Sequence, residues 1–228
     1  MRIAEIYHSV QGEGALTGVP SVFVRTSGCN LRCWYCDTPF TSWRPEGQDL
    51  SVEEIIARVG EWDCQHVVVT GGEPMLFAEL IPLCAALRKL GRHITIETAG
   101  TLYLPVACDL MSISPKRANS TPDAKVEPRW AARHEAARHA PAVIRSLIGE
   151  YAYQLKFVID TPIDCEDVEA YLRELPEIAR QCVMLMPQGT DPDLLAKTSA
   201  WLEPYCEASG FVFCPRRHIE WFGLVRGT

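Results

Sequence analysis

Two kinds of apolar patterning alternate along this chain. Short β-branched runs at 2–7, 21–26, 66–70, 93–98, 110–114, 154–160, 182–186 and 211–214 read as strands. Between them apolar positions recur at helical spacing over 78–90, 165–175 and 192–206, and Ser51 with Glu54 carries the capping-box signature of another helix start. This alternation predicts an α/β fold whose mostly parallel sheet is open or curled into a partial barrel, with functional residues gathered at the C-terminal ends of the strands. Two stretches break the rhythm. Residues 37–50 are rich in Pro, Gly and Thr, and residues 119–150 form an Ala/Arg/His-rich segment that is expected to be an inserted helical piece. Arg129, Arg133, Arg138 and Arg145 give this insert a basic side, and the interleaved Glu and Ala residues point to a solvated helix. No internal repeat or linker-like stretch divides the chain, so a single domain over 1–228 is expected.

Composition narrows the class without changing this picture. Apolar residues at 47% and charged residues at 22% exclude disordered, collagenous and low-complexity chains. A net charge of -7, from 22 basic and 29 acidic side chains, argues against a nucleic-acid-binding surface. The first residues, MRIAEIYHSVQGEG, contain no apolar run with a small-residue cleavage site, and no later run is long enough to span a bilayer. A cytoplasmic protein with no membrane partner is therefore expected, and in that setting its ten cysteines read as metal ligands and buried thiols, not as a disulfide framework.

Spacing singles out three of them. Cys29-Asn-Leu-Arg-Cys33-Trp-Tyr-Cys36 follows directly on a strand, with Gly28 allowing the backbone to leave it sharply. A structural zinc site takes four protein ligands, and no fourth lies at finger-like spacing, since Cys64 is far along the chain and His66 begins a strand. An iron–sulfur cube held by three thiolates would instead leave one iron open for chemistry. Cys64, Cys84, Cys108, Cys165, Cys182, Cys206 and Cys214 show no such spacing and read as buried free thiols.

The cysteine spacing, with the aromatic Tyr35 before the last thiol, resembles the cluster motif of the radical S-adenosylmethionine (SAM) superfamily. That resemblance implies a partial barrel of the radical SAM type, a [4Fe-4S] cluster on Cys29, Cys33 and Cys36, and SAM as cofactor. Thr70-Gly71-Gly72-Glu73-Pro74 ends a buried-type strand in paired glycines, which suit either a close backbone approach to a ligand or a tight turn. Superfamily resemblance places the methionine amino group on this run, at Gly72 and Glu73. Ser114-Pro115-Lys116 follows another strand with a hydroxyl and an ammonium, groups suited to a ribose hydroxyl and a carboxylate. The same resemblance assigns Ser114, Pro115 and Lys116 to SAM, together with Tyr35, Cys36, Asp37 and Gln188, and makes the segment from Glu97 to Thr101 part of the pocket wall.

A further set, Val10-Gln11-Gly12-Glu13, Arg25, Asp37-Thr38 and His218, is similar to the 7-carboxy-7-deazaguanine synthases over nearly the whole chain. Membership would imply a radical-mediated ring contraction of 6-carboxy-5,6,7,8-tetrahydropterin to 7-carboxy-7-deazaguanine with loss of ammonia, a lyase reaction of queuosine and related 7-deazapurine biosynthesis. Val10, Gln11, Gly12, Glu13 and Thr70 then face the donor and acceptor edge of the pterin, Arg25 forks onto its carboxylate, and Thr38 gives an oxygen to magnesium. His218 would donate to the substrate or cap a polar turn, and the sequence leaves open whether Thr228 approaches the same site. The resemblance also implies a homodimer and an electron donor such as a flavodoxin. Two readings compete: a radical activase acting on a protein partner, and a non-enzymatic metal or redox-sensing module using a distant fourth ligand.

Overall fold

The computed structural model describes all 228 residues. Nine strands form one open sheet: β1 (Arg2–Val10), β2 (Pro20–Thr26), β3 (Gln48–Asp49), β4 (His66–Gly71), β5 (His93–Thr98), β6 (Leu110–Ile113), β7 (Tyr153–Ile159), β8 (Val183–Pro187) and β9 (Val212–Phe213), in the order β3-β1-β2-β4-β5-β6-β7-β8-β9. Strand β1 runs antiparallel to both β2 and β3, and every pairing from β2 to β9 is parallel. The expected mostly parallel, unclosed α/β sheet is what the chain forms. Its two edges are two-residue strands, too short to template much further pairing.

Seven helices, α1 (Val52–Val59), α2 (Leu80–Lys89), α3 (Pro128–Arg138), α4 (Pro141–Glu150), α5 (Pro162–Glu174), α6 (Pro192–Ser209) and α7 (Arg217–Phe222), accompany the sheet. The capping box at α1 is formed: Glu54 N donates to Ser51 Oγ at 3.2 Å and Ser51 N to Glu54 Oε2 at 2.7 Å. Helix α6 starts under the Asp191 carboxylate and ends at Gly210, whose φ of 72° is left-handed.

The period of two along each strand sorts the side chains. Val22, Val24, Val67, Val69, Ile94, Ile96, Met111, Ile113, Leu155, Phe157 and Ile159 enter one apolar core together with Leu80, Leu83, Ile144 and Val168 of the helices. The intervening positions, among them Tyr7, Arg25, Thr70, Glu97, Ser112 and Lys156, line the opposite, concave face. The polar alternates of a parallel sheet thus create a cleft there.

Four features depart from the sequence expectations. Strand β1 extends to Val10, and the irregular stretch 37–50 supplies the edge strand β3. Helix α7 arises where no helix was predicted. The insert forms two helices, but they are not simply solvated: Ile144 and Leu147 enter the core, and Ala131 and His134 are buried. Its arginines are largely engaged, Arg138 with Glu135, Arg145 with Glu177 and Arg133 over the Trp130 ring. No helix is long and apolar enough to cross a membrane.

Candidate functional site

The cysteine loop leaves β2 at Gly28, whose φ is 130°. It is shaped by its own backbone and by distant elements. Arg32 Nη1 donates to Cys29 O (2.8 Å) and Leu31 O (2.7 Å), and Trp43 Nε1 donates to Cys33 O at 2.9 Å. From the insert, His134 Nδ1 accepts from Arg32 N at 3.1 Å, Ser120 O accepts from Trp34 N at 3.1 Å, and Trp130 lies under the Arg32 guanidinium at 4.1 Å.

Cys29, Cys33 and Cys36 all face one cavity of about 340 Å³, a volume typical of small-molecule sites. Burial pushes the Cys29 thiol up to about 12 and the Cys33 thiol up to about 11, so neither is a thiolate without a compensating positive centre. Leu31 N points at Cys29 Sγ (3.4 Å) and Ser42 Oγ lies 3.2 Å from Cys36 Sγ, contacts of the kind that tune a ligating sulfur. No three His, Cys, Asp or Glu side chains gather as ligands of a single ion would. Three thiols on the wall of one cavity fit a cube that keeps one iron open toward it.

The glycine pair has a packing reason. A Cβ on Gly72 would stand 2.0 Å from Gly28 O, and one on Gly71, at φ 118°, 2.2 Å from Thr26 O. Gly72 N and Glu73 N instead donate to Thr26 O (3.1 Å) and Gly28 O (2.8 Å), tying the end of β4 to the start of the cysteine loop. Glu73 is fully buried behind the cavity wall, accepting from Met75 N, Thr98 Oγ1 and Ala99 N at 3.1, 2.8 and 2.8 Å. Pro115 also lies off the cavity, whereas Ser114 and Lys116 border it, joined by a 2.6 Å hydrogen bond. Gln188 borders it from the end of β8, with its own N–H on Ile159 O at 2.8 Å.

A charged network also lines the cavity. Lys156 Nζ donates to Glu97 Oε1 (2.9 Å) and Glu13 Oε2 (3.0 Å), and Arg216 joins Glu13 Oε1 at 3.2 Å to Asp37. Although burial alone would raise them, the Lys156 ammonium draws Glu13 and Glu97 below the usual carboxylate range, and Arg216 does the same to Asp37 and Glu13. Arg25 donates from Nε to Glu5 (2.7 Å) and from Nη2 to Tyr7 Oη (2.5 Å), which places its guanidinium in the wall with Nη1 uncommitted. Gln11 gives its amide N–H to Ser21 Oγ at 2.9 Å, so Oε1 remains as an acceptor. Gly12 has no room for a Cβ because the backbone of His218 lies 2.5 Å away, and this close approach brings His218 Nδ1 within 3.7 Å of Glu13.

Val10, Gln11, Gly12, Glu13, Arg25, Cys29, Cys33, Tyr35, Cys36, Asp37, Thr38, Thr70, Gly72, Ser114, Lys116, Gln188 and His218 therefore meet at one cavity. Sequence reasoning missed Lys156, Arg216, Tyr7 and Glu5. A lysine at the centre of a buried, largely apolar strand was the available signal for the first; the rest carried none. Residues 223–228 also border the cavity, including Thr228, with Arg226 bridging Glu5 (3.1 Å) and Glu46 (2.9 Å) over the Phe40 ring.

Residues 23–124 match the family model of the radical SAM superfamily. Over 227 residues the chain is 47% identical to the 7-carboxy-7-deazaguanine synthase of Rhodopirellula baltica, an alignment covering 99% of this chain and 88% of that protein. It is 44% identical to the synthase of that name from Halobacterium salinarum, covering 95% and 88%. The crystal structure of QueE from Escherichia coli superposes with a TM-score of 0.70 at 26% identity, covering 95% of this chain and 94% of that one. A more distant likeness, in fold alone, is to Streptococcus suis SuiB bound to S-adenosylmethionine, at TM-score 0.50 and 15% identity over 82% of this chain and 48% of that one.

Proposed function

Because the chain belongs to the 7-carboxy-7-deazaguanine synthases of the radical SAM superfamily, we propose that it contracts the ring of 6-carboxy-5,6,7,8-tetrahydropterin to 7-carboxy-7-deazaguanine, releasing ammonia in a lyase reaction. The observation that carries this reading is a single cavity lined both by the three thiols and by Gln11, Glu13, Arg25 and Glu97. Cys29, Cys33 and Cys36 would hold the [4Fe-4S] cluster, and Ser114, Lys116 and Gln188 would hold SAM, with Tyr35, Asp37 and the Gly72 backbone beside them. Glu73 and Pro115, in the turns that carry Gly72 and Ser114 to the cavity, complete the set proposed to hold SAM. When bound, the cluster and SAM supply radical chemistry that activates an otherwise inert carbon–hydrogen bond.

The protein's own part is orientation. Glu13, Glu97 and Gln11 Oε1 offer acceptors to the amino and ring N–H donors of the pterin, while Val10, Gly12 and Thr70 contribute backbone or hydroxyl groups to the same edge. The uncommitted Nη1 of Arg25 faces the substrate carboxylate, with Glu5 and Tyr7 fixing the guanidinium plane. His218 donates to the substrate from above Glu13. Thr38 offers magnesium one hydroxyl, and since Asp37 is held by Arg216, the remaining positions fall to substrate and water. The reading extends to a cytoplasmic homodimer reduced by a flavodoxin, feeding queuosine or a related 7-deazapurine.

The test is anaerobic turnover by iron-reconstituted, reduced protein with SAM, magnesium and 6-carboxytetrahydropterin, followed by mass spectrometry. Formation of 7-carboxy-7-deazaguanine is expected. Deoxyadenosine without pterin conversion would sink the substrate assignment and leave the cofactor assignment standing.

A further inference from the structure

Strand β7 turns Lys156 and Val158 toward the cavity. The strand pairs with β6 on one side and β8 on the other, Lys156 stands opposite Met184 of β8, and its side chain is only 5% exposed. An ammonium buried in a central strand is costly unless it is paired and hydrogen-bonded. Its two partners come from elements that are otherwise unrelated: Glu97 from β5, and Glu13 from the turn after β1, 143 residues away in sequence.

Each carboxylate is also fixed from a second direction. Thr70 Oγ1 donates to Glu97 Oε2 at 2.7 Å, and Arg216 Nε to Glu13 Oε1 at 3.2 Å. Both still border the cavity, so their remaining lone pairs face whatever fills it. Ionised carboxylates are acceptors only, and a ligand must therefore present N–H groups to them. Two carboxylates in one cavity without a cation between them would tend to share a proton, turning one acceptor into a donor.

We infer that Lys156 is a positioning residue for substrate selection: inserted between Glu13 and Glu97, it fixes them as a matched pair of acceptors for the amino-bearing edge of a 2-amino-4-oxopteridine, and so rejects rings carrying a 2-oxo group there. The assignment rests on the function proposed above and adds the element that sets its selectivity. The other groups facing the pair are Arg216, His218 and Asp37 at Glu13, Cys214 at Lys156 and Tyr7 at Glu97.

The test is equilibrium binding to anaerobic, cluster-reconstituted protein with SAM, using the fluorescence of 6-carboxypterin and, in parallel, 6-carboxylumazine as the 2-oxo counterpart. The parent protein should prefer the pterin tenfold or more, with affinity level between pH 6 and 8. Lys156→Met should lose most of that preference and bind the pterin progressively more weakly toward pH 6, while Lys156→Arg restores both. Should Lys156→Met fail to fold, Glu97→Gln carries the test and should lose the preference too. Unchanged preference and unchanged pH dependence in the variant that folds would overturn the inference. So would a parent protein that binds both rings equally yet still turns over the carboxytetrahydropterin, which would leave the proposed function intact. A parent that binds neither ring and converts no pterin would overturn both.

Discussion

Replacing His134 should loosen the cysteine loop from a distance of 102 residues in sequence. Its Nδ1 accepts from Arg32 N, so the ring proton is on Nε2 and is donated to Ser120 Oγ at 2.8 Å, while Ser120 donates onward to Arg117 O at 2.6 Å. His134→Ala strands the buried Arg32 N–H, at about 1–3 kcal/mol, and removes the Ser120 bond, at roughly 1 kcal/mol. A total of about 2–4 kcal/mol corresponds to a melting temperature lowered by roughly 5–15 °C in a chain of this size. Thermal unfolding by circular dichroism measures that loss, and iron bound per chain after anaerobic reconstitution should fall with it. His134→Asn places Oδ1 where Nδ1 was and should recover at least half of both. A variant with alanine that melts within about 1 °C of the parent, or an asparagine variant no better than alanine, would refute the reasoning. The pH dependence follows the same geometry. Burial holds the folded imidazole down to about 4 against an ordinary 6.5, so the unfolded chain binds that proton more tightly. The stability His134 confers is complete above about pH 6.5 and is lost as the pH falls toward 4, a slope the alanine variant should lack.

Cys33→Ala should abolish cluster uptake and every radical reaction together, measured as iron content and the visible absorption of the reconstituted protein, because two thiolates hold a cube poorly. Arg25→Ala should leave iron content and SAM binding intact while raising KM for the carboxylated pterin about tenfold or more, since a charge-assisted contact is lost. Gly72→Ala keeps every thiol yet should destabilise the fold by about 1–3 kcal/mol and lower iron uptake, because the added Cβ must push the Gly28 backbone away from β4. Full iron content in that variant would show that the glycine serves no packing role.

Local pattern was enough to determine eight of the nine strands, four of the helices and the motif-bearing loops. Continuous β-branched runs such as Val67 to Val69 and the Ser51/Glu54 box encode their conformation within a few residues, and the 29-33-36 spacing is a property of one short loop. What the sequence left unread needs contacts between segments far apart. The two-residue strand β3 exists only because β1 offers it an edge. Glu73, read as a cofactor ligand from its motif, is held in place by Thr98 Oγ1 and Ala99 N at the end of the neighbouring strand. Lys156 looks like an interruption in an apolar strand until the fold sets Glu13 and Glu97 against it. Arg216 meets Asp37 across 179 residues, and His134 braces a loop the insert gives no local hint of touching. Backbone preference and apolar periodicity act over neighbouring residues, and so they are written in the sequence. The pairing of buried charges and the satisfaction of buried N–H groups depend on which segments the sheet order brings together, and only the tertiary structure decides that.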